Sequence, residues 1–325
     1  MKNIRFVEQK TLTLGQPETI KIPTNNCIRN LILRLAGSIT ISGGSTSGTV
    51  HAQGVARLLS DISVKRNGSD TIFSLPGWLL YELNRILYGT AGSLTNLANG
   101  DAQVNTAVNV SLIVPFENLR GVKPFDTLMK ASGLSSLDLL VNTVAASGVV
   151  YGGDRTSAVG TTAFTLRASI EEERFVNNFT FGDLRISLLN KVSVGGASAN
   201  FQIKPLPVGN MYKGFMLFAE DAGVGSNALI SNIKLKSGSE VFADIAGSEL
   251  REVNKLDKGI ETLGTGVYYL DMLPDGMLNS SLDVSPKTGR ETLEFELNVA
   301  APGGTAYVYV VGIEYVPPVV VSKRA

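Results

Sequence analysis

Four blocks of this sequence occur twice, in the same order. Ile62–Gly68 leads through Phe73 and Gly77 to Leu80-Tyr-Glu82-Leu-Asn84, and Ile233–Gly238 leads through Phe242 and Gly247 to Leu250-Arg-Glu252-Val-Asn254, an offset of 170 in the helical part. Pro23–Leu33 parallels Pro207–Leu217 at an offset of 184, Leu137–Asn142 parallels Leu293–Asn298 at 156, and Phe164–Glu171 parallels Tyr307–Glu314 at 143. The offsets shrink along the chain because the first copy carries the longer loops. A single matched block is easily met by chance, whereas four in order point to a duplicated module. The period is too long and the copies too few for a solenoid or propeller. The boundaries that follow are an N-terminal arm at 1–12, a first unit at 13–173, a connector at 174–183, a second unit at 184–316 and a C-terminal tail at 317–325. A single large sandwich with coincidental internal similarity is the competing organisation.

Within each copy the apolar segments are short, β-rich and bounded by Gly, Ser and Asn. They are Glu18–Ile22, Asn30–Ser42, Leu58–Arg66, Val108–Val114, Leu137–Val144, Phe164–Ile170, Phe201–Lys204, Lys213–Ala219, Ala228–Lys236, Gly266–Leu270, Thr292–Val299 and Ala306–Tyr315. Strands at this spacing predict an all-β fold of two tandem jelly-roll β-sandwiches, a double jelly roll. Loops rich in small residues at Ser42–Val50, Gly89–Gly100 and Ala145–Gly160 suit crossovers between sheets. Each copy also holds one short helix. Gly77–Leu87 aligns Leu79, Leu83, Ile86 and Leu87 on one face, and Ser248–Leu256 aligns Leu250, Val253 and Leu256, with Ser248 as the expected N-cap and Glu249 in the first turn.

Composition narrows the function classes. Hydrophobic residues make up 44% of the chain, enough for a packed core, so wholesale disorder is excluded. Lys and Arg (29) balance Asp and Glu (29), and such neutrality excludes a polybasic nucleic-acid binder. One cysteine, Cys27, excludes a disulfide scaffold or multi-cysteine zinc site, and one histidine, His51, leaves little room for chemistry built on histidine pairs. The N-terminal residues lack a secretory apolar stretch and no apolar run reaches bilayer length, which predicts synthesis and assembly in a cytoplasm.

Residues able to carry chemistry are scattered. His51 has no orienting acid or nucleophile at a useful spacing, so a surface or edge position is expected. Cys27 aligns with Met211 and reads as a small buried hydrophobe. Glu171-Glu172-Glu173 alternate across a strand, making no ready acid–base pair, and read as a solvated strand end; Glu171 matches Glu314. Asp271, Asp275 and Asp283 lack calcium-loop spacing, although calcium at a subunit contact stays open. Gly43-Gly44 and Gly195-Gly196 lack phosphate-loop signatures and read as turns. Asn67-Gly-Ser69 is a sequon without a secretory context. Trp78 and Tyr81 read as anchors of the first helix rather than a stacking platform. No catalytic, cofactor-binding or metal residue, and no cofactor, is therefore assigned.

The order of the two copies and the equivalent helices Gly77–Leu87 and Ser248–Leu256 resemble the double jelly-roll major capsid proteins of tailless icosahedral viruses, those of lipid-containing bacteriophages being similar in size. The resemblance implies a homotrimer with pseudo-six-fold symmetry that tiles a shell with neighbouring capsomers and penton or minor capsid proteins. It places the chain in the virion. It also implies terminal arms, here Met1–Lys10 and Pro317–Ala325, facing inward toward a membrane or neighbouring subunits, with Ser322-Lys323-Arg324 giving a weak hold on headgroups or genome, and no sequence-specific nucleic acid. Low charge and loops bearing Tyr151 and Met277 suit repeated self-contact. Two other classes remain: a carbohydrate- or receptor-binding β-sandwich, and a carboxylate-dependent peptide-glycan amidase built on paired jelly rolls.

Overall fold

The structure, a computed structural model, describes residues 2–42, 49–90, 92–97, 103–119, 124–145, 147–152, 158–159, 163–173, 182–260, 263–273 and 275–317. Sixteen principal strands and two helices carry the fold. The first half comprises β1 (Lys2–Leu12), β2 (Pro17–Lys21), β3 (Cys27–Ser42), β4 (Leu59–Arg66), β5 (Asp70–Leu75), α1 (Gly77–Tyr88), β6 (Gln103–Pro115), β7 (Leu137–Thr143) and β8 (Ala163–Glu173). The second half repeats the order with β9 (Asp183–Val194), β10 (Ser198–Ile203), β11 (Met211–Asp221), β12 (Ile230–Ser237), β13 (Glu240–Ala246), α2 (Gly247–Lys258), β14 (Val267–Asp271), β15 (Glu294–Val299) and β16 (Ala306–Val316).

Each half is a jelly roll of two facing sheets, ordered β1-β8-β3-β6 and β2-β7-β4-β5 in the first and β9-β16-β11-β14 and β10-β15-β12-β13 in the second. The halves match down to their irregularities. Val7 is the bulged residue in β1 and Leu189 in β9; Arg29 is bulged in β3 and Lys213 in β11. These bulges sit 182 and 184 residues apart and fix the equivalence of the strands around them.

Both helices are 12 residues long and end on a glycine in the left-handed conformation, Gly89 and Gly259. Both begin on a glycine that packing requires. A Cβ on Gly77 would lie 2.6 Å from the Ala56 carbonyl oxygen, and one on Gly247 would lie 2.8 Å from that of Ile230. The second helix therefore starts one residue before the expected Ser248, its N-cap is Ala246, and no side chain caps it. Close approach to the sheet outweighs the serine's capping preference.

Alternation along β11 shows how the halves join. Phe215 and Leu217 point into the second core with Ile233, Phe295 and Val308, whereas Met216 and Phe218 point into the first with Tyr309 and Val311. A sheet buried on both faces needs a near-continuous apolar strand, which is what Met211–Asp221 supplies. Each large side chain sequestered this way contributes about 1.5–3 kcal/mol of transfer free energy.

The segment at 1–12 read as an arm is the outer strand of the first sheet. Lys2–Leu12 pairs antiparallel with Ala163–Glu173, so its alternating residues are committed to a ladder rather than free. Of the connector, 174–181 lies outside the described residues and Asp183 already belongs to β9; of the tail, 318–325 lies outside them.

Candidate functional site

The residues singled out for chemistry do not converge. His51 is 7% exposed rather than at a surface edge, and its backbone N–H donates to the Val150 carbonyl at 2.9 Å. Burial, reinforced by nearby Arg57, pushes its imidazole down to about 4, so it is neutral at pH 7. Cys27 is buried, and desolvation raises its thiol, as a small hydrophobe requires. Asp271, Asp275 and Asp283 each accept the backbone N–H two residues on, from Leu273, Met277 and Ser285, at 3.0, 2.8 and 2.8 Å. They are turn formers. Gly195-Gly196 lies in the β9–β10 turn with open space around both positions, and Gly43-Gly44 lies outside the described residues. Among the described residues, no group of three or more His, Cys, Asp or Glu is placed to hold a metal ion.

The glutamate run is not a solvated end. Glu172, 1% exposed, accepts hydrogen bonds from Asn26 at 2.9 Å and Asn3 at 3.2 Å and pairs with Arg5 at 3.2 Å. Glu171 faces the other way, where Asn30 bridges it to Glu117 at 3.0 and 2.9 Å and Arg29 pairs with Glu117 at 2.6 Å. Alternation holds, but both faces are polar and closed. The equivalence with the second half also shifts by one. Asn210 donates to Glu314 at 2.6 Å as Asn26 does to Glu172, and the register around both bulges agrees, so Glu314 matches Glu172 rather than Glu171.

What the structure does assemble is a seam between the jelly rolls. Ile186 pairs with Phe73 and Ser187 with Ser74 in parallel, which continues the second sheet into the third. Ion pairs flank this junction, Arg66 with Asp183 at 2.9 Å and Arg185 with Asp70 at 3.0 Å. Above it, Trp78 of α1 packs edge-on against Phe218 and Tyr309, with ring centroids 4.8 and 4.9 Å away. Arg57 stacks over Trp78 at 4.6 Å and pairs with Glu220 at 2.8 Å, while Tyr309 donates to the same carboxylate at 3.0 Å. Glu82 of α1 is fully buried here, accepting from Gln53 at 2.7 Å. A Cβ on Gly264 would lie 2.2 Å from it, so the second half closes directly over the carboxylate. Trp78 and Tyr81 are thus packing residues, as read from their helical spacing.

Sequence reasoning missed Arg57, Glu82 and Glu220. A signal did exist for Asn84 and Asn254, which the repeat aligns. Each clamps an inner strand edge through a pair of hydrogen bonds, Asn84 to the Ile113 N–H and carbonyl at 2.7 Å each, Asn254 to those of Tyr269 at 2.9 and 2.7 Å.

A cleft of about 760 Å³ lies between the end of α1 (Ile86, Leu87) and α2 (Leu250, Val253), with Phe242 and Tyr269 in its lining. Asp244 and Asp275 also line it and are held below the usual carboxylate range by hydrogen bonds, from Asn232 and Ser280 respectively. General-acid catalysis by a carboxyl needs the opposite shift. Of the loop residues expected to serve self-contact, Met277 is 54% exposed, but Tyr151 is buried in its own chain and cannot meet a neighbour.

No family model and no curated protein matches this chain. Solved structures do. It resembles the major capsid protein of Sulfolobus Turreted Icosahedral Virus with a TM-score of 0.74 at 18% identity, over 98% of this chain and 97% of the other. The major capsid protein P2 of bacteriophage PM2 aligns with a TM-score of 0.63 at 11% identity, over 97% and 98% of the two chains. A PBCV-1 capsid chain aligns with a TM-score of 0.66 at 11% identity, over 97% and 94%. The likeness therefore does not single out bacteriophages. What these alignments share with this chain, from end to end, is the double jelly roll.

Proposed function

We propose that this chain is the major capsid protein of an icosahedral virus, divided into units 13–173 and 184–316, with β1 added to the first as its outer strand. The observation that carries the proposal is the seam. Two equivalent jelly rolls are locked by a shared sheet, a shared core and a buried Arg57–Glu220 pair, in a fold that major capsid proteins also have over their full length. An enzyme needs one cleft with convergent groups; a tile needs a stiff body that presents the same shape repeatedly. Three such chains would offer six similar units around one axis and tile a hexagonal lattice, giving way to penton or minor capsid proteins at the vertices. The protein would reside in the virion shell, and the basic tail Lys323-Arg324 would supply any contact with an internal membrane.

Light scattering on the purified chain tests this reading: a trimer is expected, with hexagonal arrays in negative-stain images at higher concentration. A strict monomer across salt conditions would overturn it.

A further inference from the structure

We propose that β1 of one chain pairs in parallel with β13 of a second copy, repeating between chains the junction that β9 and β5 make within one. The inference rests on the capsid reading above and specifies its partner and contact face.

The internal junction supplies the template. It joins the first strand of the second jelly roll to the fifth strand of the first. The strands equivalent to these two, β1 and β13, stand at the edges of the first and fourth sheets, and among the described residues neither has a strand beyond it. An unpaired strand edge is a row of open donors and acceptors that invites pairing with another chain. Both edges also expose apolar side chains: Ile4 is 61% and Phe6 50% exposed on β1, and Val241 51% on β13.

Charge and register agree. Lys2–Leu12 carries Lys2, Arg5 and Lys10 against Glu8, a net +2, whereas Glu240–Ala246 carries Glu240 and Asp244 and no base, a net −2. The bulges at Val7 and Leu189 make Ile4 equivalent to Ile186 and Arg5 to Ser187. The shared helix offset of 170 makes Ala243 equivalent to Phe73 and Asp244 to Ser74. The junction therefore registers Ile4 with Ala243 and Arg5 with Asp244 across the two chains.

The helices give an independent reason. α1 lies beneath the second jelly roll, and its Leu83 and Ile86 are 0% and 1% exposed. The equivalent α2 residues, Val253 and Leu256, are 41% and 82% exposed. A second copy seated on β13 as the second jelly roll is seated on β5 would cover them. The contact is head-to-tail, and repeating it builds a ring when the rotation per copy closes, as the trimer of the capsid reading requires.

Cysteine cross-linking of the full chain tests the register, because a disulfide needs Cα atoms within about 7 Å. Ile4→Cys combined with Ala243→Cys should give covalent dimers and trimers on a non-reducing denaturing gel after mild oxidation, and neither single variant should, Cys27 being buried. A trimer by light scattering that forms no inter-chain bond would overturn the inference and leave the capsid reading standing. A monomeric native chain would overturn both. Should the double variant fail to fold, Leu256→Asp at an exposed helix position serves instead. The concentration at which the assembly half-dissociates should then rise by about tenfold or more, and an unchanged value would overturn the inference.

Discussion

The two helices were built to one plan and ended in different surroundings. Each runs 12 residues from a packing glycine to a left-handed glycine, and each clamps the strand beneath it with an asparagine at the same position. Yet α1 buries ten of its residues, and α2 buries Gly247, Leu250 and Asn254 among its described side chains. Among the shared residues, Asn84 and Asn254 face each helix's own sheet. Of the differing ones, Trp78 meets Phe218 and Tyr309 of the second jelly roll, whereas its counterpart Ser248 is exposed. Divergence at this position thus marks the seam, while the asparagine clamps that stayed alike hold each jelly roll together.

The most severe way to break that comparison is to remove the ring that only α1 carries. Trp78→Ala should cost about 3–5 kcal/mol, because the cavity opens beneath Phe218, Tyr309 and Arg57 at once. Ser248→Ala, at the equivalent exposed position, should stay within about 0.5 kcal/mol. Urea unfolding of both variants provides the measurement, and similar small losses would mean that the seam does not stabilise the chain.

A smaller effect should be shared instead of divided. Asn84→Ala and Asn254→Ala each strip two hydrogen bonds from a buried backbone edge, at a cost of about 2 kcal/mol apiece. Because both clamps belong to the common plan, the two losses should be close to equal in the same unfolding measurement. A loss in only one would show that the halves are less alike in energy than in geometry.

Legibility in the sequence followed the same division. The twelve apolar segments read as strands all form strands, since interior positions must alternate or run continuously apolar. Of the other four principal strands, Asp70–Leu75 and Glu240–Ala246 showed only through the repeat around Phe73 and Phe242, and Lys2–Leu12 and Asp183–Val194 escaped. As first strands they carry lysines, arginines and acids on a solvated or ion-paired side, and the bulges at Val7 and Leu189 break their alternation. The run Glu171–Glu173 offered several equally good partners for Glu314; only cross-strand pairing selects Glu172. The burial of His51 and of the glutamates comes from segments far away in the chain, Val150 and Asn26–Asn30, which no local pattern announces. The seam was legible only as a repeat, because its members, Arg57, Glu82 and Glu220, are ordinary charged residues until two units meet.

Glu82 and Glu252 allow the subtlest sharpening, because the repeat aligns them and the seam separates them. Glu82 is fully buried, whereas the Glu252 side chain is 66% exposed. Burial holds the Glu82 carboxyl above its ordinary value, against the opposing pull of Arg85, Gln53, Arg251 and Arg57. The native state therefore binds this proton more tightly than the unfolded chain does. That stabilisation is fully present below the ordinary carboxylate value of 4.5 and is lost as pH rises through the raised one. Glu82→Gln removes the titration, so its stability relative to the native protein should climb from pH 4 to pH 7, at no more than about 1.4 kcal/mol per pH unit for one proton. His51 acts in the opposite sense, losing stability as pH falls from 6.5 toward about 4, but it is present in both proteins and cancels in the difference. Glu252→Gln, at an exposed position, should stay within about 0.5 kcal/mol of the native protein at pH 7. Urea midpoints at each pH decide the matter: a Glu82→Gln line parallel to the native one would mean that the second jelly roll does not seal the carboxylate from water.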